Sequence, residues 1–411
     1  DSPSGAYTYS FTNPGAVQAF QIEATGGSAA VASTFSTALY TGTGAYPSGG
    51  SGQTITNGVD LATDGGLVWI KVRSLDNAHA LFDTERGITK MGNSAAAAAD
   101  TTVGTNTFTS FNSGGFTLGD ESEGWGRTNT SPNTYVSWTF KKKAKFFDVV
   151  TYTGTGNGAA DYQDISHNLG TVPGTVIIKR LNAAENWAVW HRSIPSDMFQ
   201  LNVSDSSGDA GGKFTASGVA NMTSTTFRVY GDNQTGTSGG TFVAYLFAHD
   251  TASDGLIQCG SYTGTGSYSN PPVVNLGWSP QWIMIKRKDD TGSWQIYDTT
   301  RGATQDSSAY LRADQTQAEQ TYSGGYVGFY PTSTGFSLSI DGTEGNASGG
   351  TYIYMAIRSA SAPAITWPTS IEWTQGTTPS TPAEGATDVY TFTTDDGGTT
   401  YTGIQSIDTA S

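Results

Sequence analysis

Two short strings carry the residue types that could hold a ligand or move a proton. Asp83-Thr84-Glu85-Arg86-Gly87 recurs as Asp298-Thr299-Thr300-Arg301-Gly302, while His191-Arg192-Ser193 stands near the corresponding place in the middle of the chain. An Asp and an Arg three apart can pair across a turn that the glycine closes. A catalytic acid would need a partner carboxylate and would not change identity in one copy, so the string reads as a structural turn. Asp395 and Asp396 with Asp388 gather carboxylates near turn carbonyls, the donor type that calcium takes in sixes to eights. Their spacing is not that of a calcium loop, and they read as a solvated turn. His79, His167, His191 and His249 form no i,i+2 or i,i+4 pair, so a metal cluster would have to come entirely from tertiary folding. They read as structural or surface histidines. Cys259 has no second cysteine to pair with and lies in the apolar run 255–259, as an inert buried thiol does. No P-loop, nucleophile elbow or glycine fingerprint before a helix is present. The reading is of a chain that is not an enzyme, with no catalytic, cofactor-binding or metal residue.

Charge narrows the partners further. With 35 acidic and 20 basic residues the net charge is −15, and a surface of that sign repels a phosphate backbone. No nucleic-acid partner is expected. Lys141, Lys142, Lys143 and Lys145 form the only basic run, which reads as a solvated junction. No apolar stretch is long enough to span a bilayer as a helix, so no membrane insertion is expected.

What must position these residues is a set of β repeats. Charged residues are only 13% of the chain, against roughly 25% in ordinary domains, and Thr, Ser, Asn and Gly carry the polarity. Aromatics reach 12%, which suits packed sheets and not a disordered polar chain. Tyr-Thr-Gly-Thr-Gly occurs from Tyr40, Tyr152 and Tyr262, and each copy is followed by a branched apolar run ending in Ile-Lys at Lys71, Lys179 and Lys286. Eleven residues beyond each lysine stands an aromatic, Phe82, Trp190 or Tyr297. Each unit closes with a run of its own, 135–140, 242–247 and 352–357. Three landmarks in step indicate triplication of a domain-sized unit. The pentapeptide lacks the lysine and helix of a phosphate cradle and reads as an edge or turn motif. Phe336, Leu338 and Ile340 alternate with serines, as on a strand with one buried face. The alanines of 95–99 favour helix by propensity but lack an apolar stripe, so an ordered loop is expected.

The expected fold class is all-β: tandem β-sandwich domains, jelly-roll or concanavalin-like, with a small C-terminal β cap. The expected divisions are a β element or the end of a preceding domain over 1–34, where Tyr7, Tyr9 and Phe11 alternate, repeats over 35–143, 148–250 and 255–359, and the cap over 363–411. A hairpin is expected at Gly397-Gly398. Trp367, Trp373 and Tyr390 are too large for a segment of about 50 residues to bury alone, so packing on the third repeat or on a neighbouring subunit is expected. The linkers at 146–148 and 251–254 are short, which implies repeats stacked in a row.

The repeat pattern also carries a resemblance. Tyr152 to Gly156, Ile165 to Leu169, Val176 to Arg180, Trp187 to Val189 and Thr241 to Phe247, with their counterparts in the third unit, resemble a family of repeated domains in structural proteins of tailed bacteriophages. Trp367-Pro368 and Asp395 to Tyr401 resemble the closing module of phage fibre and appendage proteins. The resemblance implies a virion component, a tail fibre, head fibre or other appendage, on the tail or capsid surface and engaged in host attachment. It implies as partners other virion structural proteins, a host-surface glycan, and identical subunits in a homo-oligomer, with a trimer as the favoured form. The alternative readings are a secreted carbohydrate-binding or adhesive protein and a capsid decoration protein.

Overall fold

A computed structural model describes residues 23–25, 31–44, 52–120, 127–216, 218–303, 307–322, 327–339, 343–360, 364–366, 371–373, 387–393 and 401–408. The chain divides into two units, one of residues 32–359 and one of 1–31 with 360–411. Tyr7, Tyr9, Phe11, Ile340, Trp367 and the turn at Asp395, Asp396, Gly397 and Gly398 lie outside the described residues.

The larger unit is all-β and triplicated. Each repeat has a first strand (Phe35–Thr41, Phe147–Thr153, Ile257–Thr263), a lysine strand (Gly66–Val72, Pro173–Arg180, Pro280–Arg287), an aromatic strand (Ala80–Asp83, Ala188–His191, Gln295–Asp298) and a closing strand (Thr134–Lys141, Thr241–Ala248, Thr351–Arg358). In all three the sheet order is first, closing, lysine, aromatic, all antiparallel. The register is the same to the residue. Phe82, Trp190 and Tyr297 stand opposite Val68, Val176 and Ile283, and Lys71, Lys179 and Lys286 stand opposite Val136, Val243 and Ile353. The eleven-residue interval is therefore one strand, one connection and one return.

A smaller antiparallel sheet accompanies each larger one: Gln53–Thr56, Gly115–Leu118 and Phe108–Asn112 in the first repeat, Tyr162–Ser166 and Thr226–Tyr230 in the second, and Val273–Asn275, Gly335–Ser339 and Val327–Thr332 in the third. In the first repeat Ile55, Phe108 and Phe116 of the small sheet share a core with Val68, Ile70 and Phe82 of the large one. In the third, Val274, Phe336 and Leu338 meet Ile283, Ile285 and Tyr297. Residues 95–99 form a loop.

The lysine strands read as continuous apolar runs because both of their faces are buried. Val68 and Ile70 face the core of their own repeat, while the alternate positions Leu67, Trp69 and Lys71 are equally buried. The alternate face packs on the other repeats. Phe140 lies 5.5 Å from Phe247 and 5.8 Å from Trp282, ring centre to ring centre, and Phe35 lies 6.1 Å from Trp282. Aromatics of repeats one, two and three thus meet in one cluster. The short linkers do not lay the repeats in a row, as expected from the sequence. They close them into a ring in which repeat three returns to repeat one, because a row would leave one such apolar face uncovered at each end.

In the second unit, Glu23–Thr25 pairs antiparallel with Ala364–Thr366. Tyr401–Asp408 pairs antiparallel with Thr387–Thr393 and parallel with Ile371–Trp373.

Candidate functional site

His79, Asp83, Arg86, His191, Asp298 and Arg301 stand at the three seams of the ring. At the seam between repeats one and two, Arg86 donates through Nε to Asp83 Oδ2 at 2.6 Å and through Nη1 to Asp100 Oδ1 at 2.6 Å. Tyr245 of repeat two donates its hydroxyl to Asp83 Oδ2 at 2.8 Å, and Arg86 Nη2 donates back to that hydroxyl at 2.9 Å. The guanidinium is desolvated, yet Asp83, Tyr245 and Asp100 together hold its pKa above the ordinary value. Burial raises the Tyr245 hydroxyl and the Asp100 carboxyl.

The seam between repeats three and one repeats this design. Arg301 Nε donates to Asp298 Oδ2 at 2.6 Å, and Trp138 of repeat one donates its indole N–H to the same oxygen at 2.9 Å. Glu319 then joins Arg301 to Arg73 of repeat one. Trp138 and Tyr245 occupy the same position of the closing strand, three beyond the residue opposite Tyr40 and Tyr152. The Asp-to-Arg string is thus a turn that presents a fixed carboxylate to the neighbouring repeat. A buried, fully paired carboxylate has no free lone pair or solvent path with which to act as an acid or base.

The middle copy has His191 where the other two have Asp. Ser193 N–H donates to its Nδ1 at 3.1 Å, so Nε2 carries the proton and donates to Tyr354 O of repeat three at 3.1 Å. His79, eight residues past Lys71, is held alike: Trp69 Nε1 donates to its Nδ1 at 2.8 Å, and its Nε2 donates to Arg312 O of repeat three at 2.9 Å. Burial pushes both imidazoles down to about 3. The equivalents of His79 are Trp187, donating to Asn93 O and Ala96 O of repeat one, and Trp294, donating to Gln200 O of repeat two. This seam-crossing donor at eight residues past the lysine was not found from sequence. Counting forward from each lysine reveals it.

The three lysines are buried and cap carbonyls. Lys71 donates to Val72 O, Lys179 to Arg180 O and to Ala97 O of repeat one, and Lys286 to Arg287 O and to Ser204 O of repeat two. Burial lowers each ammonium to about 8. Cys259, His249, His167 and two of the lysines of the basic run are also spent on structure. Cys259 is buried against Thr175 and its thiol is pushed up to about 12 by desolvation. His249 Nδ1 accepts from Cys259 N–H, and His167 Nδ1 from Leu169 N–H. In the basic run, Lys141 pairs with Asp64, and Lys142 with Glu85 and Asp148. Among the described residues no group of three His, Cys, Asp or Glu could hold a metal ion.

Tyr-Thr-Gly-Thr-Gly is a packing device. Tyr40, Tyr152 and Tyr262 stack on Tyr135, Phe242 and Tyr352 at 5.0 to 5.1 Å. Their hydroxyls donate to Thr128 O, Thr235 O and Gly345 O. A Cβ on Gly42, Gly154 or Gly264 would lie 2.3 to 2.5 Å from a carbonyl oxygen of the loop before the closing strand, so only glycine fits there.

Other features lie on the exterior. A shallow pocket of about 400 Å³ in repeat one is lined by Leu61, Thr63, Asp64, Glu85, Phe111 and Lys142. On repeat two the Arg228 guanidinium lies 3.7 Å over the exposed Tyr162 ring and forms a two-pronged pair with Asp164.

No curated protein matches the chain. Residues 30–361 match the family described as a domain of unknown function, DUF7483. That span takes in the whole ring, the three lysine strands and all three seams, and on it the chain belongs to the DUF7483 family.

Proposed function

We propose that the chain is a non-enzymatic structural component of a bacteriophage virion, a fibre or appendage protein of the tail or capsid surface that takes part in host attachment. In this reading each repeat is a β-sandwich, 363–411 is a C-terminal β cap, and the ring is a stiff body that presents outward loops. The observation that carries it is the use made of the chemical side chains: Asp83, Arg86, His191, Asp298 and Arg301 lock repeat to repeat. Such a body suits display, where many weak contacts add through multivalency. Its partners are other virion proteins and copies of itself, with a trimer the form that the phage resemblance favours. Mass spectrometry of purified particles with immunogold labelling by an antibody against 32–359 tests the reading. Label on tail or capsid at a constant copy number is expected, and particles lacking the chain would overturn it. Light scattering across a dilution series tests self-association, which a strict monomer at micromolar concentration would refute.

A second reading, a carbohydrate-binding or adhesive protein, is favoured by Tyr162. A half-open ring next to a paired Asp and Arg offers a stacking face and hydroxyl partners together. A glycan array probed with the protein and with Tyr162→Ala distinguishes it: binding lost in the variant supports sugar recognition, and binding unchanged or absent removes it.

A further inference from the structure

Two buried histidines of the ring, His79 and His191, spend their proton on repeat three. His79 of repeat one donates to Arg312 O, and His191 of repeat two donates to Tyr354 O. In each ring the other nitrogen already faces an N–H donor, Trp69 Nε1 or Ser193 N. A second proton would therefore sit donor against donor. The surroundings oppose it as well. Lys71 and Arg127 bear on His79, and Arg192 and His249 on His191. Asp76 and Glu319 bear on Lys71, and Glu319 is held by Arg73. The seam between repeats one and two has Trp187 and Asp83 at the same two positions.

We propose that acidification releases repeat three from the ring as a unit while repeats one and two stay joined. Opening a histidine seam exposes one of these two imidazoles, release of repeat three exposes both, and opening the remaining seam exposes neither; half-buried His249, whose Nδ1 accepts from Cys259 N–H, adds in the same direction at the seam between repeats two and three. A histidine that is neutral when closed and free to protonate when open favours opening about tenfold for each pH unit below about 6.5. Release of repeat three is therefore favoured about a hundredfold per unit. Asp298 and Glu319 also stand at the seam between repeats three and one, so the test must use variants that remove the imidazole and leave these carboxylates in place.

Each seam carries its own main-chain reporters. Asn77 N donates to Thr316 O and Glu319 N to Arg73 O between repeats three and one, and Gly292 N to Ser204 O and Ser207 N to Lys288 O between two and three. Asp100 N to Leu181 O and Glu185 N to Ala97 O join repeats one and two. Hydrogen exchange of the full chain between pH 4.5 and 7.5, corrected for intrinsic rates, reads them separately. The first four amides should gain opening in step, about a hundredfold per unit, with Asp100 and Glu185 unmoved. His79→Gln or His191→Gln keeps an acceptor and a donor without titrating, and should reduce the slope to about tenfold per unit. The proposal is overturned if all six amides open together, if the two histidine seams open independently with tenfold slopes, if none responds, or if the glutamine variants keep the wild-type slope. Should one variant fail to fold, the other and the six wild-type amides still decide the matter.

Discussion

Trp138 donates its indole N–H to Asp298 at 2.9 Å across 160 positions of sequence. That one bond joins the closing strand of the first repeat to the turn of the third, and with it the chain returns on itself. The Asp298 carboxylate is shared between Arg301 in its own repeat and Trp138, so the ion pair is finished only when the ring is closed.

Trp138→Phe keeps the ring volume approximately and removes the donor. It should cost about 1–3 kcal/mol of unfolding free energy, the usual penalty for leaving a buried acceptor short of a partner. Tyr245→Phe should cost a similar amount at the other charged seam. Chemical denaturation monitored by tryptophan fluorescence checks both, and loss below about 0.5 kcal/mol in each would mean that the seams are not load-sharing.

Arg301→Met strands a fully buried Asp298 and should destabilise by about 3–5 kcal/mol. Arg228→Ala breaks an equally well-formed pair with Asp164 on the exterior, and should change stability by about 0–1 kcal/mol. Calorimetry of the two variants side by side tests the contrast, which vanishes if Arg301 is replaceable at no greater cost.

The three buried lysines make stability depend on alkaline pH. Their pKa is near 8 folded and about 10.4 unfolded, so between these values the unfolded chain binds more protons. Stability should therefore rise with pH from about 8 to about 10, by at most about 1.4 kcal/mol per unit for each lysine. Lys71→Met should flatten the slope by one proton. Urea titrations at stepped pH measure it, and a falling curve over that window would contradict the assignment.

Gly154→Ala sets a methyl 2.3 Å from Thr237 O, whereas Gly158→Ala meets nothing within 4 Å. The first should lower the melting temperature by several degrees and the second should be near neutral. Equal effects would show that the pentapeptide glycine is not required by close approach.

The repeat, its period and its strand register were legible in the sequence because they are local. Lys71, Lys179 and Lys286 stand at fixed distances from Phe82, Trp190 and Tyr297, and antiparallel pairing through a short connection turns that interval directly into cross-strand neighbours. The Asp-to-Arg turn was legible for the same reason, since Asp83 and Arg86 are three residues apart. Where these turns point was not. Asp83 meets Tyr245, and Asp298 meets Trp138, through contacts 162 and 160 residues apart, and no periodicity encodes which repeat lies beside which. The lysine strands held the one clue. Their unbroken apolar runs require a cover on both faces, and a single repeat supplies only one. The sequence alone determines that a second cover must exist. Only the tertiary structure decides that it is the other two repeats, closed into a ring, since burying all three outer faces at once leaves none in water.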